Sequence, residues 1–337
     1  MKHKNAQIIS IIIPVYNVSQ YIYKCIKSVL EQKYDGLIEI IIIDDCGIDN
    51  SMDIVSSFLP NHYTNRYFKV LRHEYNKGQS AARNLGIKES TGDLIFFLDS
   101  DDYLEKEAIS ILYDKWLSTP NAEIVSGETQ AIKDKKIIST TNLHDLQNIP
   151  LVGEEILNGI FKKWYPVCWN KLIRKDFLIQ NKLFFKEGLY YEDLFWAFEV
   201  ALVGTYFETV KDVTYNYIIQ NNSTTRKLSD KHYHSLIKLI NLFYNKITEE
   251  KLLLSPNRMK ILSIYETIRV LSIDIVFTKF NREKQHEFLK KVQLLNLSSF
   301  ITILFNHKIS FKAKVKSLPF YIGRFGFKYI KLKSKLH

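Results

Sequence analysis

The first hundred residues alternate between two hydrophobic rhythms. Residues 8–13 and 38–43 are apolar runs of strand length interrupted only by Ser10 and Glu39, and 68–71, which carries Lys69, and 94–98 are shorter ones. Between them, 19–31, 49–59 and 79–89 read as helices, the first capped by Ser19. A helix over 105–117 and a strand over 123–127 complete the series. Continuous apolar strands alternating with amphipathic helices predict an α/β fold, a mostly parallel sheet with helices on both faces. From 134 to 152 the pattern weakens into a hairpin and loop. Short helices over 153–161 and 174–179, a helix over 193–203 and strands over 205–207 and 213–219 follow. After Asn222 the character changes: 230–250, 256–277 and 283–295 are amphipathic, helical and rich in Lys and Leu. This divides the chain into 1–225, an α-helical 226–305 and a tail 306–337.

Composition narrows the class. Hydrophobic residues are 46% and charged residues 25% of 337 positions, the balance of a globular protein with a sizeable core. The run 8–13 follows a basic start but is short and ends in a Pro-Val-Tyr-Asn turn, so it reads as a strand rather than a signal peptide. No stretch reaches the ~18 apolar residues of a membrane span. Cys25, Cys46 and Cys168 are widely separated and lack a C-x-x-C pattern, which suggests neither a disulfide framework nor zinc and fits a reducing cytoplasm.

Candidate chemistry sits at the strand ends. In an open parallel sheet, ligands bind beyond the carboxyl ends of the strands, where the strand order reverses. The second strand ends in Asp44-Asp45, and 94–98 runs into Asp99-Ser100-Asp101-Asp102. Hard cations such as Mg²⁺ or Mn²⁺ take oxygen ligands, commonly one or two carboxylates plus substrate phosphates. One of these Asp residues could cap the helix at 105; three in four positions is more than a cap needs. Asp44-Asp45 reads either as a turn or as an acceptor for a nucleobase N–H. Tyr16 reads as a base-stacking ring or as a half-buried loop aromatic. Gly78 and Ser80 open a helix that carries Arg83 in its first turn, against the helix dipole. That cation suggests an anion or base contact, with a salt bridge to Asp44 or Asp45 as the alternative. Glu192-Asp193 open another helix and could simply complement its dipole.

These pieces occur together. Ser10-Ile11-Ile12-Ile13-Pro14-Val15-Tyr16-Asn17, Ile43-Asp44-Asp45, Asn76-x-Gly78-x-x-x-Ala82-Arg83-Asn84-x-Gly86, Gly92-Asp93-x-Ile95-x-Phe97-Leu98-Asp99-Ser100-Asp101-Asp102 and Glu192-Asp193 follow in order. Over about residues 8–225 the chain resembles the inverting glycosyltransferases of family 2, of the bacterial surface-polysaccharide type. The resemblance implies a GT-A (Rossmann-like) fold and a nucleotide-sugar donor, with UDP favoured. It implies nucleotide contacts from Pro14, Tyr16, Asn17, Asp45, Arg83, Asp99 and Ser100, and a Mn²⁺ or Mg²⁺ ligand in Asp101. Asp193 becomes the general base, with Glu192 and Trp169 near the acceptor or donor sugar; core packing is the other reading of Trp169. The sequence also departs from the family. Cys46-Gly47-Ile48 replaces the frequent Gly-Ser after Asp45. Ile218-Ile219-Gln220 replaces a frequent Arg, or a His that completes the metal site. Arg226 or Lys227 becomes a candidate for the diphosphate.

Charge adds a last element. The net charge is +11, and nine basic residues with no acid fall within 308–337. On a helical wheel Arg324, Lys328, Lys331 and Lys335 share one face, with Ile322, Phe325, Tyr329, Leu332 and Leu336 on another. Such a segment suits an anionic membrane surface, which would place the enzyme at the inner face of the cell membrane beside a glycan or lipid-linked acceptor. A solvated basic tail is the alternative; no nucleic-acid motif accompanies the charge. A nucleotidyltransferase would need a Gly- and Arg-rich phosphate loop, absent from 14–19. A non-catalytic sugar-nucleotide-binding scaffold is the remaining competitor. The helical region offers apolar faces for a homo-oligomer.

Overall fold

The structure is a computed structural model that describes residues 7–59, 61, 63–140, 151–152, 154–159, 166–220 and 228–297. These residues fall in two compact units, one within 1–188 and 192–223 and one within 189–191 and 224–337.

The first unit is built on one sheet. Its core strands are β1 (Ile9–Val15), β2 (Ile38–Asp44), β3 (Arg66–Arg72) and β4 (Leu94–Phe97), joined in parallel in the order β3-β2-β1-β4. The connections are helices α1 (Ile22–Leu30), α2 (Ser51–Phe58) and α3 (Gln79–Glu89). Ile9, Ile11, Ile12 and Ile13 of β1 and Ile40 to Ile43 of β2 are fully buried, which is why these strands are apolar on both faces. The order reverses at β1, flanked by β2 and β4, so a crevice opens beyond the carboxyl ends of these strands.

The rest of the sheet is mixed. After β5 (Tyr103–Leu104) and α4 (Ala108–Ser118) come β6 (Ile124–Lys133), β7 (Lys136–Thr140), β8 (Leu151–Val152), α5 (Glu154–Gly159), β9 (Lys171–Arg174), α6 (Lys175–Gln180), α7 (Glu192–Val203) and β10 (Tyr206–Ile218). β9 slots antiparallel between β4 and β6, pairing Phe96 with Leu172 and Val125 with Leu172 from its two edges. β10 runs parallel to β6 and antiparallel to β5. β6 and β7 form a hairpin through Asp134 and Lys135, both at positive φ (50° and 64°), the geometry of a two-residue primed turn.

Several expectations are adjusted. The strands expected at 205–207 and 213–219 are one strand, broken in register between Thr209 and Val213. Helix α1 starts at Ile22 rather than at Ser19. The Val18 and Ser19 amides donate to Ser51 Oγ (2.9 Å) and Asp49 Oδ2 (2.8 Å), which tie that segment to the loop after β2. The acidic run 99–102 does not cap a helix, because β5 follows it and α4 begins only at Ala108. Most of the 134–152 loop and part of 153–161 lie outside the described residues.

Gly127 in β6 lets β10 approach. A Cβ there would lie 2.0 Å from Thr214 Oγ1, a hydroxyl that donates to Asn170 Oδ1 (2.5 Å). Gly127→Ala is expected to destabilise by about 1–3 kcal/mol, as overpacked cores do, read as a lower melting temperature. An unchanged melting temperature would mean the strands separate freely here.

The second unit holds α8 (Asp230–Glu249), α9 (Arg258–Lys279) and α10 (Arg282–Gln293). Ser229 and His232 form a reciprocal capping box at the start of α8. The helices bury Tyr233, Leu236, Phe243, Tyr265, Ile268 and Phe288.

Candidate active site

Three groups of residues gather at the carboxyl edge of the parallel strands. The first surrounds Asp45, directly after β2 and 2% exposed. Its Oδ1 accepts the Lys77 N–H (2.8 Å) and lies 2.6 Å from His73 Nδ1; its Oδ2 accepts the Gly78 N–H (2.8 Å). Gly78, at φ 85°, precedes α3 in a conformation that side chains rarely adopt. Neighbouring Asp44 accepts the Cys46 N–H (2.9 Å) and pairs with Arg72 at 3.3 Å. Tyr16, after β1, is 47% exposed, so its ring is available to a ligand. Asn17, at φ 53°, accepts the Ile48 N–H through Oδ1 (2.8 Å). Gly47 packs against it so closely that a Cβ would meet Asn17 N at 2.9 Å. Pro14, in β1, pairs in register with Ile43.

The second group surrounds Arg83 of α3, which is 1% exposed. Its guanidinium donates to Asp99 Oδ1 (2.8 Å) and Glu192 Oε1 (2.7 Å) and lies 3.5 Å from Asp193 Oδ1. Gln79 Nε2 also donates to Glu192 Oε1 (2.5 Å). Burial opposes the positive charge, but nearby Cys168, Asp99, Asp193 and Glu192 outweigh it and hold Arg83 protonated. Sequence reasoning offered Asp44 or Asp45 as its salt-bridge partner. The structure turns it instead toward Asp99 and the start of α7. The Glu192 and Asp193 carboxyls are both pushed up by burial; Asp193 raises Glu192 further, while Arg83 works the other way on each. The buried Cys168 lies near Arg83 and Asp193.

The third group is Asp101 and Asp102. Asp102 is 2% exposed and structural: its carboxylate accepts the Tyr215 hydroxyl (2.8 Å) and the Ile218 N–H (2.7 Å), pinning the loop after β4 to β10. Asp101 accepts the Gln220 amide (2.7 Å). Burial, then repulsion from Asp99, pushes its carboxyl up to about 6. Among the described residues Asp101 forms no ion pair, and Arg83 only partly offsets the repulsion from Asp99. Ser100 is buried between the acids. No cluster of three or more His, Cys, Asp or Glu set to hold a metal occurs among the described residues. An all-oxygen set with one or two carboxylates fits Mg²⁺ or Mn²⁺ completed by substrate phosphates, and does not fit a closed protein cage.

Trp169 is 8% exposed and stacks on Tyr215 at 4.6 Å between ring centres. That face is covered by protein, which favours the packing reading over a sugar platform. Arg226 and Lys227 lie outside the described residues. Sequence reasoning missed His73, and it quoted Gln79 and Cys168 only within longer segments, without a role of their own. A histidine next to a strand end carries no local signal; only its pairing with Asp45, 28 residues away, brings it to the site.

This edge, with the buried Asp45, the D-x-D loop and the acid-led helix, is the architecture of a GT-A glycosyltransferase. Residues 10–181, just over half of the chain, match the family described as Glycosyl transferase family 2, and the chain belongs to it. YibD, a glycosyltransferase of Escherichia coli strain K12, is 28% identical over 282 residues, covering 78% of each chain. The fold matches residues 1–349 of TarS from Staphylococcus aureus in complex with UDP-GlcNAc, with a TM-score of 0.67, 18% identity and coverage of 85% and 80%. It also matches the mannosyltransferase PcManGT from Pyrobaculum calidifontis in complex with GDP-Man and Mn²⁺, with a TM-score of 0.55, 16% identity and coverage of 98% and 85%.

Proposed function

We propose that this glycosyltransferase moves a sugar from a UDP-sugar to a hydroxyl of a glycan or lipid-linked acceptor in surface polysaccharide synthesis, with inversion and with Mn²⁺ or Mg²⁺. The observation that carries this reading is the Arg83 hub. It links Asp99, at the nucleotide-facing strand end, to Glu192 and Asp193 on α7. Donor-binding and proton-accepting groups on separate elements are therefore held by one guanidinium.

In this reading Tyr16 stacks on the base, Asp45 accepts its ring N–H, and Pro14 and Asn17 shape the loop around it. Asp99 and Ser100 face the ribose. Asp101 holds the metal, which when bound neutralises the diphosphate and makes it a better leaving group. Asp193 takes the proton of the acceptor hydroxyl as that oxygen bonds to the anomeric carbon and the bond to the diphosphate breaks. Glu192 lies beside it toward the sugar. TarS was solved with UDP-GlcNAc and PcManGT with Mn²⁺, which supports donor and metal classes without fixing them for this chain.

A thermal-shift panel of UDP, GDP, dTDP and CMP with and without Mn²⁺ tests the donor, because a ligand that binds only the native state raises its melting temperature. Metal-dependent stabilisation by UDP is expected. A folded protein that responds to no nucleotide would favour the scaffold reading.

The division into 1–225, 226–305 and 306–337, the homo-oligomer and the placement at the inner face of the cell membrane belong to the same proposal. No helix among the described residues is long and apolar enough to cross a membrane. The basic tail lies outside them. Its nine cations would each contribute about 1 kcal/mol near an anionic surface. The full chain is expected to sediment with phosphatidylglycerol vesicles and a chain ended at 307 to remain in solution. If both stay in solution, the tail does not bind membrane.

A further inference from the structure

Asp45 is more fully occupied than a ligand-reading carboxylate needs to be. A carboxylate offers about four lone-pair sites, two on each oxygen. The Lys77 N–H and His73 Nδ1 occupy Oδ1, and the Gly78 N–H occupies one site on Oδ2. One site on Oδ2 remains. His73 is itself fixed: it is 8% exposed, its N–H donates to the Asp44 carbonyl (3.0 Å), and its carbonyl lies 2.9 Å from the Cys46 thiol. A carboxylate oxygen accepts, so His73 Nδ1, 2.6 Å from Oδ1, is assigned as the donor in their contact.

We propose that His73 is a positioning residue for base recognition, closing Oδ1 so that Asp45 offers one acceptor site, on Oδ2. This rests on the reading of Asp45 as the acceptor of a base N–H. A pyrimidine imide such as uracil presents one ring N–H to such a site. Guanine presents a ring N–H and an amino group side by side and would need both oxygens. The occupied Oδ1 therefore disfavours guanine, and the specificity comes from a residue that touches no part of the base.

The test uses the full chain and direct binding of UDP, GDP and 3-methyluridine diphosphate, which lacks the ring N–H. His73→Leu is expected to weaken UDP about tenfold, in line with losing a hydrogen bond to a charged group, and to narrow the UDP-over-GDP preference. His73→Asn, whose amide nitrogen replaces Nδ1, is expected to restore both. The 3-methyl nucleotide should bind His73→Leu and the unaltered chain equally, because neither offers it a hydrogen bond. Unchanged UDP affinity in His73→Leu overturns the proposal. Equal weakening of UDP and its 3-methyl analogue also overturns it, since that marks a merely structural role. An unaltered chain that binds the analogue as tightly as UDP removes instead the Asp45 reading beneath it. Should His73→Leu fail to fold, His73→Gln, whose amide sits too far out to reach Oδ1, takes its place with the same expectations.

Discussion

Asp193→Asn is expected to lower kcat by about 10²–10⁴, the contribution of a positioned general base, while UDP-sugar affinity stays within twofold. The substitution keeps the shape of the side chain near Arg83 and removes its ability to take a proton. The pH profile should agree. Burial favours the neutral acid, so the carboxyl sits above the ordinary aspartate range. Activity should fall with decreasing pH on a limb that lies above the ~3.9 of a free aspartate, because the protonated form cannot accept a proton. The stability effect has the opposite sign. The folded state holds the proton more tightly than the unfolded chain, so the contribution of the Glu192–Asp193 pair is full at low pH. It is lost as pH rises through the raised folded values. Turnover in Asp193→Asn equal to that of the unaltered chain would remove Asp193 from the chemistry.

Asp101→Ala is expected to abolish most of the metal-dependent stabilisation by UDP. For a ligand at a hundred times its Kd that stabilisation is about 2.7 kcal/mol, a shift of several degrees in melting temperature. The ligand-free protein should change little, because losing the Gln220 hydrogen bond is offset by relief of the repulsion between Asp101 and Asp99. Loss of the metal effect with an unimpaired ligand-free melting temperature assigns the ligand. A full metal-dependent shift in Asp101→Ala would place the metal elsewhere.

β1, β2 and β4 were legible because they are buried on both faces, which favours apolar runs; Ser10 and Glu39, the polar exceptions in β1 and β2, satisfy each other by a hydrogen bond (2.5 Å). Helix α3 and the acidic strand ends were legible for related reasons: a glycine before a helix and acids after an apolar run are local signals. β9 was not. Its four residues begin with Lys171 and end with Arg174, and its place between β4 and β6 is set by partners some fifty to eighty positions away. The partners of Arg83 were hidden in the same way, since Glu192 lies 109 residues along the chain. For Trp169 a sugar-facing ring and core packing both stood open, because a sequence does not show that Tyr215 stacks on it. The long β10 was read as two strands because its register breaks near Lys211 and Asp212, where polar residues interrupt the apolar run.

The insertion of β9 also orders events during synthesis. β1 to β4 can pair as they leave the ribosome, and domains generally begin folding from the N-terminal side. β6 then appears, but it has no seat beside β4 until residues 171–174 arrive to bridge them. For the time needed to make roughly fifty residues, at ~5–20 residues per second, the nascent sheet has an open edge at β4, whose residues are wholly apolar. Open apolar edges invite pairing with other chains. The vulnerable species of this enzyme is thus its half-made chain, and slow translation between β6 and β9 is the interval in which a chaperone would matter most.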